Sequence, residues 1–230
     1  MTAKIIAIVN QKGGAGKTTT TMQLSGAIAR RGYKVLVVDA DPQGTATRWA
    51  ASAEDDKPFP ASVVGLSAAN EKVHREVRKF IDDYDFILID CPPAADSIVP
   101  QSALLIADLA LVPIIPSPPD MWAAVGIKQV IENASTINEA LKSRLVSNQT
   151  QPKTTLAQES LEVLSEFGIP LANASLQQRQ VYRQSAVFGQ TVHDLGQKAS
   201  AAIKEIETLA EEVLTILGIK PLKTPKAKRR

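Results

Sequence analysis

The chain has 230 residues, 44 % hydrophobic and 22 % charged, a size and balance that fill one α/β domain without staples and leave function to be sought in local motifs. A single cysteine excludes an intrachain disulfide framework and suits a reducing compartment. The run from Met1 into Lys4-Ile-Ile-Ala-Ile-Val9 is too short for a signal peptide, and no apolar run approaches the ~20 residues of a membrane span.

In chain order, short β-branched runs alternate with longer helical patterns, the mark of βαβ units. Strands are predicted over 5–10, 34–39, 61–64, 86–90, 109–114, 144–147 and 171–174. Helices are predicted over 17–31, 71–82, 97–106, 121–141, 155–167 and 196–217. Four of the strands are apolar at nearly every position, as in a doubly wound, mostly parallel sheet covered by helices on both faces. In such sheets ligands sit beyond the carboxyl ends of the strands, so chemistry is expected just after Val9, Val38 and Ile89. Pro113, Pro116, Pro118 and Pro119 are expected to end the fifth strand and set a stiff loop before the next helix. No linker divides the chain, so 1–218 is expected to be a single domain and 219–230 a disordered basic tail. That tail region holds Lys220, Lys223, Lys226, Lys228, Arg229 and Arg230 and no acid, so a chain of net charge +2 carries −4 on the remainder. Polyanion-binding tails and plain solvated ones share this pattern.

Between the first strand and the first helix stands Asn10-Gln-Lys-Gly-Gly-Ala-Gly-Lys-Thr-Thr-Thr20, the setting a phosphate-binding loop requires. Gly13, Gly14 and Gly16, with Ala15 between them, let successive backbone N–H groups turn inward on phosphates, and the helix start adds its positive dipole end. Lys17 is expected along the β- and γ-phosphates of a nucleotide, the Thr18 hydroxyl on Mg²⁺, and Thr19 beside them. Asp39 and Asp41 alternate at the end of the second strand and project to the same side. Asp90 follows four apolar strand residues, where a carboxylate can hold the water shell of Mg²⁺.

The loop departs from the common Gly-x-x-x-x-Gly-Lys-Thr form by the additional Lys12. Lys-Gly-Gly-x-Gly-Lys-Thr resembles the deviant Walker A loop of the P-loop NTPase family that contains ParA, MinD and the nitrogenase iron protein. Val35-Leu-Val-Val-Asp-Ala-Asp-Pro-Gln-Gly44 resembles that family's second motif, and Phe86-Ile-Leu-Ile-Asp-Cys-Pro-Pro93 its Walker B strand and switch. The resemblance implies an ATP hydrolase that uses Mg²⁺ and dimerises around ATP, with Lys12 reaching the partner's nucleotide in trans. It also implies that Asp41 orients the attacking water and Asp39 supports the metal shell. Asn148 matches a family position that touches adenine, and equally suits a turn. The resemblance runs from Lys4 to about Pro119 and weakens beyond.

Within the family, iron–sulfur members need several cysteines, whereas Cys91 stands alone here and suits a small buried residue. MinD-like members end in an amphipathic membrane helix. Here Pro221 and Pro225 break the end, and Glu205, Glu207, Glu211 and Glu212 suit a solvent face, so no membrane is expected. The tract Asp39-Ala-Asp-Pro-Gln-Gly-Thr-Ala-Thr-Arg-Trp49 resembles small ParA-like partition proteins, and the chain starts too near its first strand for an N-terminal helix-turn-helix domain. The resemblance therefore implies nonspecific DNA binding, a nucleoid-associated cytoplasmic location and a ParB-like or cargo-adaptor protein that stimulates hydrolysis. Arg179, Arg183, Lys198 and Lys204 are the candidates for DNA phosphates, and each also suits a solvated surface. Membrane-associated division-site regulation, and positioning of protein bodies such as carboxysomes or chemoreceptor clusters, are the alternative functions. His74 and His193 are expected on the surface or on helix faces.

Overall fold

Strands apolar at every position need cover on two sides, and the chain supplies it. The computed structural model describes residues 2–151 and 167–220. It contains β1 Lys4–Ile8, β2 Val35–Asp39, β3 Ser62–Gly65, β4 Phe86–Asp90, β5 Leu109–Ile114, β6 Lys142–Thr150 and β7 Leu171–Gln177. The helices are α1 Lys17–Ala29, α2 Thr45–Ala51, α3 Val73–Val77, α4 Val99–Leu104, α5 Pro118–Ser135, α6 Gln180–Val187 and α7 Ser200–Ile216. All strand pairs are parallel, in the order β3-β2-β4-β1-β5-β6-β7.

Because successive side chains point to opposite faces, each inner strand feeds two cores. Ile6, Ile8, Val37, Leu88 and Leu111 pack with Met22, Leu24 and Ile28 of α1 and Leu209 and Val213 of α7. Ile5, Ala7, Leu36, Ile87 and Val112 pack with Val99 and Leu104 of α4 and Ile127 and Ile131 of α5. Full burial of one such side chain contributes about 1.5–3 kcal/mol, so the two cores outweigh local helix propensity. Helix α1 is buried from Thr20 through Ile28. Its Gln23 amide donates to the Ser185 hydroxyl of α6 (2.8 Å) and accepts the Val192 N–H (2.9 Å).

The doubly wound parallel fold is as expected, while several boundaries differ. Helix 71–82 is replaced by the end of a 3₁₀ stretch (Ser67–Lys72) in which Asn70 takes φ 47°, then α3 and a second 3₁₀ turn at Arg78–Phe80. Helix 196–217 starts later, at Ser200, since Gly196 adopts φ 67° after a 3₁₀ stretch from Val192. Pro118 and Pro119 do not form a loop. They occupy the first turn of α5, where no intrahelical N–H is required. The short helices α2 and α6 are additions, and the predicted helix 155–167 lies, apart from Phe167, outside the described residues, as does most of the basic tail.

Another correction concerns the acids of α7. Only Glu211 is largely exposed. Glu212 accepts the N–H groups of Asn173 and Ala174 (both 3.1 Å), and Glu205 accepts that of Gln177 (3.2 Å). These N–H groups belong to β7, the last strand of the sheet, so the helix covers donors that an edge would otherwise leave open. Glu207 pairs with the buried Arg31 guanidinium (2.7 Å) and with His193 Nε2 (2.7 Å).

Candidate nucleotide site

Strand β1 lies between β4 and β5, and the segment that leaves its carboxyl end is fastened before it turns. Asn10 Nδ2 donates to the Pro113 carbonyl (2.6 Å), and its Oδ1 accepts the Lys12 N–H (3.3 Å). The loop then passes through two left-handed glycines, Gly14 at φ 78° and Gly16 at φ 87°. At Gly16 the requirement is double, because a Cβ there would overlap Asn148 Nδ2. Asn148 itself donates to the Ala15 carbonyl (2.7 Å), and Gln149 Nε2 donates to that of Gly14 (2.8 Å). Two loop carbonyls are thereby held outward, which leaves loop N–H groups for an anion. Asn148 lies within β6 rather than in a turn after the strand.

At the start of α1, Lys17 is buried and its Nζ donates back to the Lys12 carbonyl (2.9 Å). Burial holds this ammonium below the ordinary lysine value, against the opposing pull of Asp90. Thr18 and Thr19 are half-buried beside it. One turn on, Thr21 donates its hydroxyl to Asp90 Oδ1 (3.2 Å).

Asp90 and Asp39 are directly in register across β4 and β2, and both are 1 % exposed. Burial pushes the Asp90 carboxyl up to about 7, the Asp39 charge adds to the rise, and Thr18, Lys17 and Thr21 oppose it. Asp90 Oδ2 and Asp39 Oδ1 are buried without a hydrogen-bond partner. The other Asp39 oxygen, Oδ2, accepts both the N–H and the hydroxyl of Thr47 (2.8 Å each). Two adjacent buried carboxylates with orphan oxygens, close to the Thr18 hydroxyl, would fit a hydrated divalent cation. Asp41 differs: it is half-exposed in the following loop, where its Oδ1 accepts the Gln43 N–H (2.9 Å). The neighbouring Cys91 is 1 % exposed and burial pushes its thiol up, as for an inert packing residue.

Lys12 leaves the loop on the other side. Its Nζ lies 3.0 Å from the Pro119 carbonyl and 3.5 Å from Asp120 Oδ1, at the start of α5. Arg179, Tyr182 and Arg183 line a cleft that continues from Gly16, Thr19 and Asn148. Arg179 is engaged within the molecule, by Glu205 (2.6 Å) and Gln177 Oε1 (2.8 Å). Arg183, Lys198 and Lys204 are exposed and form no ion pair among the described residues. Sequence reasoning missed Gln149 and Asp120, which reach the site from distant segments, and Thr47, which bonds Asp39 from the following helix. Thr21 carried a signal, one helical turn beyond Lys17.

The profile of the CobQ/CobB/MinD/ParA nucleotide-binding domain matches residues 6–192. The chain belongs to this family. As a ParA/MinD-type ATPase it is 34 % identical over 211 residues to Maintenance of carboxysome distribution protein A of Halothiobacillus neapolitanus, covering 91 % of this chain and 95 % of that one. It is 31 % identical over 179 residues to the sporulation initiation inhibitor Soj of Bacillus subtilis, covering 62 % and 69 %. An ATP complex of a Cyanothece McdA variant superposes with a TM-score of 0.77 at 20 % identity, over 96 % of this chain and 98 % of the other, a likeness of fold.

Proposed function

We propose that this ParA/MinD-type ATPase dimerises around ATP and Mg²⁺, binds DNA without sequence preference, and positions a large protein body along the nucleoid. The observation that carries the cargo reading is the match over nearly the full length of both chains to a protein named for carboxysome distribution. The site supports the chemistry. Backbone N–H groups of Gly13 to Gly16 bind phosphate, and Lys17 exchanges the Lys12 carbonyl for phosphate oxygens. Thr18 and Asp90 hold the cation, which when bound neutralises developing charge on the phosphates. Thr47 fixes Asp39, and Asp39 keeps the cation's outer shell in place. Asp41, with access to solvent, orients water. Lys12 exchanges Asp120 for the nucleotide of a second copy.

The nucleoid serves as a track, contacted through Arg183, Lys198 and Lys204, with Arg179 holding α6 beside them. An adaptor on the cargo stimulates hydrolysis and releases the dimer. Plasmid or chromosome partition is the second reading, favoured by the resemblance of the Asp39–Trp49 tract to small ParA-like partition proteins. The test is a pull-down with the Asp41→Ala protein and ATP, followed by mass spectrometry. Recovery of an adaptor from a protein compartment is expected. Recovery of a DNA-site-binding, ParB-like protein instead would move the cargo to DNA, and retention on anionic vesicles but not on DNA would replace the track by a membrane.

A further inference from the structure

Trp122 is 74 % exposed and Val125 61 % exposed, the former an unusual place for the largest apolar side chain. They stand three residues apart on α5 and therefore share a face. That face adjoins the phosphate loop in two ways. Lys12 reaches Pro119 and Asp120 in the first turn of α5, and Gly126 packs so closely on the loop that an added Cβ would come within 2.9 Å of Gln11 Cδ. The loop and the first turns of α5 thus form one continuous surface, with Lys12 at its charged edge and Trp122 and Val125 as its apolar part.

We propose that Trp122 and Val125 form the apolar centre of the ATP-dependent contact between two copies of this chain. This rests on the dimer reading above. A lysine that acts on another copy's phosphate has a reach of only a few ångströms, so the surface around its root must be covered by that copy. Trp122 and Val125 are exposed apolar side chains of that surface and are available for burial. A two-fold contact places the same stripe from each copy at the joint, and a tryptophan enclosed by a polar rim is the residue type that dominates such joints. Asp120, freed of Lys12 in the dimer, belongs to that rim. In the free monomer it also holds the ammonium on its own chain.

The chain has two tryptophans, and Trp49 is 6 % exposed with its Nε1–H donated to the Gln190 carbonyl. Emission that responds to dimer formation therefore reports Trp122. A non-hydrolysable ATP analogue with Mg²⁺ should shift wild-type emission to the blue and reduce acrylamide quenching over the same protein concentrations at which light scattering doubles the mass. Trp122→Phe should dimerise without the spectral change. Trp122→Glu and Val125→Glu should bind the analogue within about threefold of wild type but raise the dimer dissociation constant at least about tenfold. If wild type doubles in mass while Trp122 stays open to quencher and both Glu variants dimerise normally, the inference is wrong and the dimer reading stands. If wild type stays monomeric with the analogue, the dimer reading itself fails.

Discussion

At the scale of single residues, the site is held by groups that have more than one reason to be what they are. Gly16 combines a left-handed backbone with a side chain pressed against the place where its Cβ would be. Gly16→Ala should therefore destabilise the fold by about 1–3 kcal/mol, and adding Asn148→Ser should recover part of that loss by removing the overlap while leaving the backbone strain. Thermal melts of the two variants give the comparison, and equal losses would mean that the overlap contributes nothing. Lys17→Ala should lower ATP affinity more than tenfold in isothermal titration, since a buried ammonium aimed at the loop is lost. Lys12→Ala and Asp41→Ala should separate two steps: the first loses the ATP dimer, while the second dimerises but releases little phosphate. Unchanged adaptor-stimulated turnover in Lys12→Ala would remove the lysine from the mechanism. The loop, Asp39 and Asp90 were legible in the sequence because contiguous chain builds them at strand ends. Gln149 and Asp120 were not, because they meet the loop from segments more than 100 residues away, and Thr47 was not, because its bond to Asp39 depends on how the next helix folds back on β2.

At the scale of elements, the acids of α7 show how a pattern can be read correctly and mean something else. Four glutamates on one helix suit a solvent face, yet the helix lies beside the last strand and turns Glu205, Glu207 and Glu212 to open donors and buried cations. Glu212→Ala should cost about 1–3 kcal/mol by leaving two β7 N–H groups without a partner, whereas Glu211→Ala should stay within about 0.5 kcal/mol. Urea melts of the pair decide it, and equal effects would return both residues to the solvent face. The helix boundaries were missed for a related reason. Gly196, at the head of the predicted helix, and Asn70, just before the other, take positive φ, and composition does not reveal that conformation. Helix α6 carries the DNA proposal. Arg183→Glu should weaken all DNA sequences alike and flatten the salt dependence by roughly 0.9 for each phosphate that is no longer neutralised. In Arg179→Glu, the broken Glu205 pair should also lower stability. Retention of full salt dependence by Arg183→Glu would make Arg183 plain surface.

At the scale of the molecule, two cores on a parallel sheet were legible because the strand runs are apolar on both faces, while the ionic ties between the helices were not. One such tie makes stability depend on pH. Burial pushes the Glu207 carboxyl up, but the hydrogen bond from His193 and the Arg31 guanidinium outweigh this and hold it below its ordinary value of 4.5. The folded state therefore favours the charged form. The stabilisation is full above pH 4.5 and is lost as pH falls through the folded value. Glu207→Gln should melt below wild type at pH 7, and the difference should shrink as pH falls below 4.5. A gap that persists unchanged at pH 3 would rule out the charge as its cause.

The strand order also sets a sequence of events in time. Strand β1 bonds only to β4 and β5, and Asn10 is anchored by a carbonyl 103 residues farther on. Parallel pairing over such separations is slow to close. The first strand to leave the ribosome therefore waits for the fifth, and the phosphate loop, encoded within the first twenty residues, takes its shape only after Pro113 has been made. Chains truncated before β5 should therefore bind ATP poorly, because the cradle's anchor at Pro113 is absent.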